Sequence, residues 1–216
     1  GEIILGLPGE SLKSFIKGIQ QVIDSGVSRT TIYSLMMLYG TEFKDPEYRK
    51  KYAMVGKQRI VPLNFGEYEG TKIFDYEEIC ISTKDLSFSD YQQLRKLALL
   101  VETMHNNLPF EEFYRYALNL GLSRFDFLLY AFESLDQAPE KIRQNFDSFV
   151  IETKSELWDS EGEMIEYYRK STNYQRLLKG EVGGNLIYKY KAKNLATAMP
   201  AWVDFLGGLL KDIVSK

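Results

Sequence analysis

The sequence predicts an α/β unit followed by a mostly α portion, and three observations carry that prediction. A strand–helix–strand pattern fills roughly the first 40 residues, two extended segments flank glycines at 66 and 70, and from Ser87 onward the apolar spacing turns helical. The two periodicities differ because side chains alternate across a strand but recur every three or four residues on one face of a helix.

The elements follow in order. Glu2 to Leu5 reads as a short apolar strand. Leu12, Phe15, Ile16, Ile19, Val22 and Ile23 mark one buried helical face, and Gly26 supplies the stop. Thr31 to Leu38 (TIYSLMML) is again apolar and β-prone and ends at Gly40. A crossover of this kind makes two strands parallel where they share a sheet, and two parallel strands leave edges in need of a partner. DPEYRKKYAM predicts a short helix with Asp45 as cap and Pro46 at its first position. RIVPLNF and TKIFDYEEICIST read as extended segments, with Pro62 confining the first to an edge or a loop. Beyond Ser87, SFSDYQQLRKLALLVETMHN carries Tyr91, Leu94, Leu97, Ala98, Val101 and Met104 on one face, with Asp90 and Glu102 elsewhere. PFEEFYRYALNLG, SRFDFLLYAFESL, PEKIRQNFDSFVIETKSELW and GEMIEYYRKSTNYQRLLKG continue the helical pattern, and their short connections favour antiparallel neighbours in a bundle or cap. NLIYKYKAK reads as a last extended piece before a C-terminal helix starting near Pro200. The organisation expected is residues 1–66 as the α/β unit and 67–216 as a mainly helical domain with short strands.

Composition limits the chemistry. The 216 residues are 44% hydrophobic, enough for a real core. A net charge of -3 provides no global basic field for a nucleic acid. No apolar run approaches the length of about 18 residues that spans a bilayer, and no signal segment precedes the first strand, which reads as a cytoplasmic chain with no membrane partner. Cys80 and His105 are the only cysteine and the only histidine, so an internal disulfide framework is excluded and a self-contained zinc or iron–sulfur site is disfavoured. No metal ligands are assigned.

Four features are candidates for function. In GLPGES, Gly6 and Gly9 permit positive φ or close approach of a ligand, Pro8 stiffens the loop, and a helix N-terminus follows. The lysine of a phosphate loop is missing and Glu10 would repel an anion, so a structural corner and a ligand contact both stay open. FDYEEI places Asp75 and Glu77 on one strand face and Tyr76 and Glu78 on the other; paired carboxylates suit acid–base work or a metal, and the plainer reading is a solvated face. His105, at a helix end, reads as structural or capping. LIYKYKAK alternates Tyr188 and Tyr190 with Lys189, Lys191 and Lys193, which reads as a lysine-protected edge strand rather than a single-stranded nucleic-acid platform. Most of the 15 tyrosines and 13 phenylalanines are expected in the core.

EIILGLPGES, followed after one helix by IYSLMMLYGTEF, resembles the fifth and sixth barrel strands of radical S-adenosylmethionine enzymes, particularly those with a cobalamin-binding domain. Ser11 stands where that family has threonine in its Gly-Leu-Pro-Gly-Glu-Thr sequence, and Tyr39 where it has proline. The resemblance extends over about residues 1–95. It implies a partial (βα) barrel remnant, with strands one to four upstream and the helical domain closing the substrate cavity. It also implies that Ile4, Leu5, Gly6, Leu7, Pro8, Gly9 and Glu10, with Tyr33 and Leu35 of the sixth strand, form part of an S-adenosylmethionine pocket. The resemblance implies a 4Fe–4S cluster in the parent enzyme and, in the cobalamin-associated group, cobalamin. The family's CxxxCxxC motif is absent here, so this chain would bind neither tightly and would not be catalytic alone. Expected partners are the missing part of the barrel, an unidentified small-molecule substrate and, through open strand edges, a second copy. The alternative from another class is a noncatalytic helical interaction module attached to a small α/β element. A complete nucleotide-binding α/β protein fits least, since a doubly wound sheet needs more than two clear parallel strands.

Overall fold

The computed structural model describes residues 1–215. It is mixed α/β and 58% helical, and its two small sheets do not close into a barrel. Strand β1 (Glu2–Leu5), helix α1 (Leu12–Asp24) and strand β2 (Thr31–Ser34) form the crossover, with β1 and β2 parallel. The serine pair Ser11 and Ser14 caps α1 reciprocally, and the amide of Gly26 closes its end on Ile23. Phe15, Ile19 and Ile23 bury the inner face of α1 against Leu5 and Ile32. The second extended run is shorter than its apolar pattern suggests: after Ser34 only Met36 bridges, to Ile79.

A 3₁₀ turn (Glu42–Lys44) leads into helix α2 (Pro46–Tyr52), where Asp45 accepts from the Tyr48 amide. Strands β3 (Val55–Tyr68) and β4 (Thr71–Ser82) form an antiparallel hairpin. Glu69 and Gly70 both take positive φ in its two-residue turn, the twist a tight hairpin favours. Pro62 lies where the register slips between Ile60 and Phe65, on a strand with another strand along one edge and a single bridge, Gln58 to Trp158, along the other. The carboxylates of β4 do not form a solvated face. Glu77 meets Arg59 at 2.6 Å, and Glu78, with a side chain 9% exposed, is held by Lys44 and by Arg49 at 2.9 Å. Asp75 alone of the three is exposed. Gly56 makes room for this arrangement, since a Cβ there would lie 2.0 Å from the Glu78 carboxylate.

The remainder is helical: α3 (Phe88–Leu100) with a π-helical extension (Val101–His105), α4 (Glu111–Asn119), α5 (Arg124–Glu133), α6 (Glu140–Ser155), α7 (Glu161–Arg169), α8 (Ser171–Leu178), α9 (Leu186–Thr197) and α10 (Met199–Val214). GEMIEYYRKSTNYQRLLKG divides into two helices because Lys170 takes an extended conformation between them. The segment LIYKYKAK is a correction: it is helix α9, not an edge strand. Leu186, Tyr190 and Asn194, four residues apart, face inward, while Lys189 and Lys191 reach Glu152 and Glu102, each at 2.7 Å. Burial of one helical face outweighs the alternation of tyrosine and lysine.

One core takes in Leu5, Phe15, Ile19 and Ile32 together with side chains from α3 to α6, α9 and α10, and the expected division after residue 66 falls inside β3. Trp202 is wholly buried against Phe110, Phe146 and Phe205. A second cluster holds the outer half of the hairpin, where Ile60 and Phe74 pack on Met164, Tyr168, Tyr174 and Leu177 of α7 and α8. No helix among the described residues is long and apolar enough to cross a membrane.

His105 is structural. It is 1% exposed, its Nε2 lies 2.8 Å from the Val27 carbonyl and donates to it, and burial lowers its pKa against the opposing effect of that bond. Two outcomes follow. The unfolded chain takes up a proton near pH 6.5 while native His105 takes it up only at lower pH, so stability falls as pH drops below about 6.5. Urea titrations between pH about 7 and 5.5 should show this slope, and His105→Gln should flatten it. Gly56→Ala and Glu78→Gln should each cost about 1.5–3 kcal/mol, since each loosens a carboxylate hydrogen-bonded to charged partners. In the double variant the losses should fall short of additive, because both act on the same carboxylate.

Candidate functional site

The turn after β1 is built from close contact. The Leu35 amide donates to the Leu5 carbonyl at 2.8 Å, which carries β2 past the end of β1. Gly6, at φ +101°, follows directly, and a Cβ there would meet the Cys80 carbonyl at 3.2 Å and Leu35 Cβ at 3.7 Å. Gly6 is therefore required by the approach of β4 as well as by its backbone angle. Gly9, at φ +87°, faces open space. Leu7 packs on a small cluster of Leu35, Met37, Met54 and Cys80, and the Glu10 amide returns to the Leu7 carbonyl at 3.2 Å. Partial burial raises the pKa of the Glu10 carboxyl.

The sequence-predicted residues divide by strand face. Leu5 and Leu35 are 0% and 4% exposed, with side chains in the interior. Ile4 and Tyr33 are register partners on the opposite face, 43% and 50% exposed. The structure thus brings Ile4, Tyr33 and the glycine turn to the same end of the β1–β2 pair, and leaves Leu5 and Leu35 only their backbone atoms to offer. β1 pairs with β2 along one edge, and no described strand lies along the other.

Cys80 does not fit a cluster ligand. It is wholly buried, its thiol donates to the Ser82 carbonyl at 3.4 Å, and burial pushes its pKa up to about 11. No group of three or more histidine, cysteine, aspartate or glutamate side chains gathers among the described residues.

Beside β2 lies a cavity of about 90 Å³ that the sequence did not mark. It is bounded by all four residues of β2, by Arg59 and Pro62 of β3, by Arg95, Ala98 and Glu102 of α3, and by the N-terminal turn of α9. Of the nine predicted site residues, only Tyr33 lines it. Arg59 bridges Glu77 and Glu156; burial opposes its charge, but these two carboxylates outweigh burial and raise its pKa above the ordinary range. Glu102, 3% exposed, accepts from Lys191 at 2.7 Å and from the Asn106 side chain. The signal in the sequence was the spacing of Arg95, Ala98 and Glu102, three and four residues apart within an apolar helix, which puts two charges on one face that must be buried.

No family model matches the chain, and no curated protein matches it.

Alanine at the two glycines separates the two requirements. Gly9→Ala should cost about 1–2 kcal/mol, the backbone penalty alone. Gly6→Ala should exceed it by about 1 kcal/mol or more, because the neighbouring Cys80 backbone has nowhere to move. Denaturant midpoints of the two variants decide the order.

Proposed function

We propose that this chain is the C-terminal portion of a radical S-adenosylmethionine enzyme of the cobalamin-associated type. In this reading β1, α1 and β2 are a remnant of its (βα) barrel, and the helices close the substrate cavity. The observation that carries it is the state of β1 and β2: a parallel pair with an open edge and an outward apolar pair, Ile4 and Tyr33, beside a glycine-flexed turn. Two parallel strands are a minority arrangement outside a larger sheet, and an open apolar face of this kind invites further strands. The remaining strands, a second chain segment and the cluster loop would cover that face. The adenosyl pocket would then take Ile4 and Tyr33 by their side chains. Leu5, Gly6, Leu7, Pro8, Gly9, Glu10 and Leu35 would serve as its backbone wall. The iron–sulfur cluster and any cobalamin would be held by other parts of the enzyme, since Cys80 cannot supply a ligand set.

A noncatalytic interaction module is the second reading, favoured by an apolar groove of about 520 Å³ between α4 and α10, lined by Phe113, Tyr116, Leu210 and Val214. The coding sequence preceding Gly1 separates the two. A CxxxCxxC motif within about 200 residues, the length the rest of such a barrel needs, supports the enzyme reading; an initiator methionine immediately before Gly1 overturns it. Calorimetry with the chain alone should give weak or undetectable binding of S-adenosylmethionine. Submicromolar affinity would mean that the half-pocket has been misplaced.

A further inference from the structure

The cavity beside β2 holds a charge that the rest of the fold does not compensate. Arg95 is 6% exposed, and its guanidinium lies 5.6 Å over the ring of Phe149. Its Nε is buried with no hydrogen-bond partner, and no carboxylate among the described residues forms an ion pair with it. The two acidic groups on the cavity wall are already engaged, Glu156 by Arg59 and Glu102 by Lys191. An interior cation left in this state is costly, and its stacking on an aromatic face offsets only part of the desolvation.

The opposite wall supplies more donors. Helix α9 is 12 residues long and begins at the cavity; its first helical bond runs from the Lys189 amide to the Asn185 carbonyl, and the Asn185 side chain accepts from the Tyr188 amide. The amides of Leu186 and Ile187 precede both bonds and carry the positive end of the helix dipole. Along β2, the amides of Thr31 and Leu35 turn toward β1, so those of Ile32 and Ser34 point to the other edge, which the cavity follows. At about 30 Å³ per water, the space equals roughly three waters, enough for one small oxyanion group.

We propose that this cavity binds the oxyanion group, carboxylate or phosphate, of a small molecule. Arg95 is the anchoring cation, and the amides opening α9 are the second set of donors. An incoming oxyanion gives the buried Arg95 guanidinium its counter-charge, whereas Arg59 stays committed to Glu77 and Glu156. The site belongs to this chain alone and stands whether or not the chain is part of a radical S-adenosylmethionine enzyme.

The test uses the whole chain, labelled with ¹⁵N at arginine side chains, titrated separately with acetate and with inorganic phosphate at constant ionic strength. The Arg95 Nε–H resonance, assigned by its loss in Arg95→Lys, should shift in a saturable way with at least one of the two anions, and the anion that binds more tightly identifies the group. With the affinity of parent and variants read by calorimetry, Arg95→Met should weaken that binding about tenfold or more, the loss of one charge-assisted hydrogen bond, and Arg95→Lys should restore part of it. If neither anion shifts the resonance, or if Arg95→Met binds as tightly as the parent, the proposal is overturned. Should Arg95→Met fail to fold, the titration of the parent chain still decides the matter.

Discussion

Helix α3 is buried on nearly every side, and the rest of the molecule is arranged around that burial. Tyr91, Leu94, Leu97, Leu99, Leu100, Val101 and Met104 are all without exposure, so the apolar surface runs round the helix rather than along one stripe. A helix of this kind has to be enclosed by other elements. The crossover unit lies on one side, with α1 and β2 against it, β4 approaches its start, and α5, α6 and α9 cover the remainder. Removing any of these would expose a continuous apolar cylinder, which is why the N-terminal α/β unit and the later helices share one core.

The polar residues on that helix are the points at which its neighbours are fixed. Asn106, wholly buried, accepts from the Thr30 amide and donates to the Thr30 carbonyl, each at 2.9 Å, which pins the start of β2. His105 does the same for the loop after α1 through Val27, and Glu102 holds Lys191 of α9. Each bond is directional where apolar contact is not, so these few contacts set the placement of neighbours that packing alone would leave free to slide. The π-helical turn that ends α3 gathers Glu102 and His105 within five residues, with Asn106 directly after them. Arg95, about two turns earlier, lacks such a partner among its neighbours, and it lines the cavity that the same elements enclose.

Much of the fold was legible because local rules and tertiary packing agree in it. The serine cap of α1, the Asp45–Pro46 start of α2 and the hairpin around Gly70 all follow from short-range chemistry. The glycine turn was legible as a glycine-flexed corner, and the contact that demands Gly6 comes from Cys80, 74 positions along the chain. The cavity was not legible, since Thr31, Arg59, Arg95 and Leu186 meet there from four separate elements. The exposure expected of Glu77 and Glu78 failed for the same reason: their partners Arg59, Lys44 and Arg49 are supplied by other segments.

By itself, the sequence determined the crossover unit, the positions of most helices, the absence of a cysteine-based ligand set and the backbone freedom of the opening turn. These depend on spacing, residue type and local sterics. Tertiary structure decided that LIYKYKAK is a helix, that Glu77 and Glu78 of β4 are held in ion pairs, and that Arg95 is a buried cation without a carboxylate. Each of these depends on what a residue meets after the chain has collapsed. Alternating tyrosine and lysine are compatible with either secondary structure, and a charge is costly only once its surroundings have excluded water.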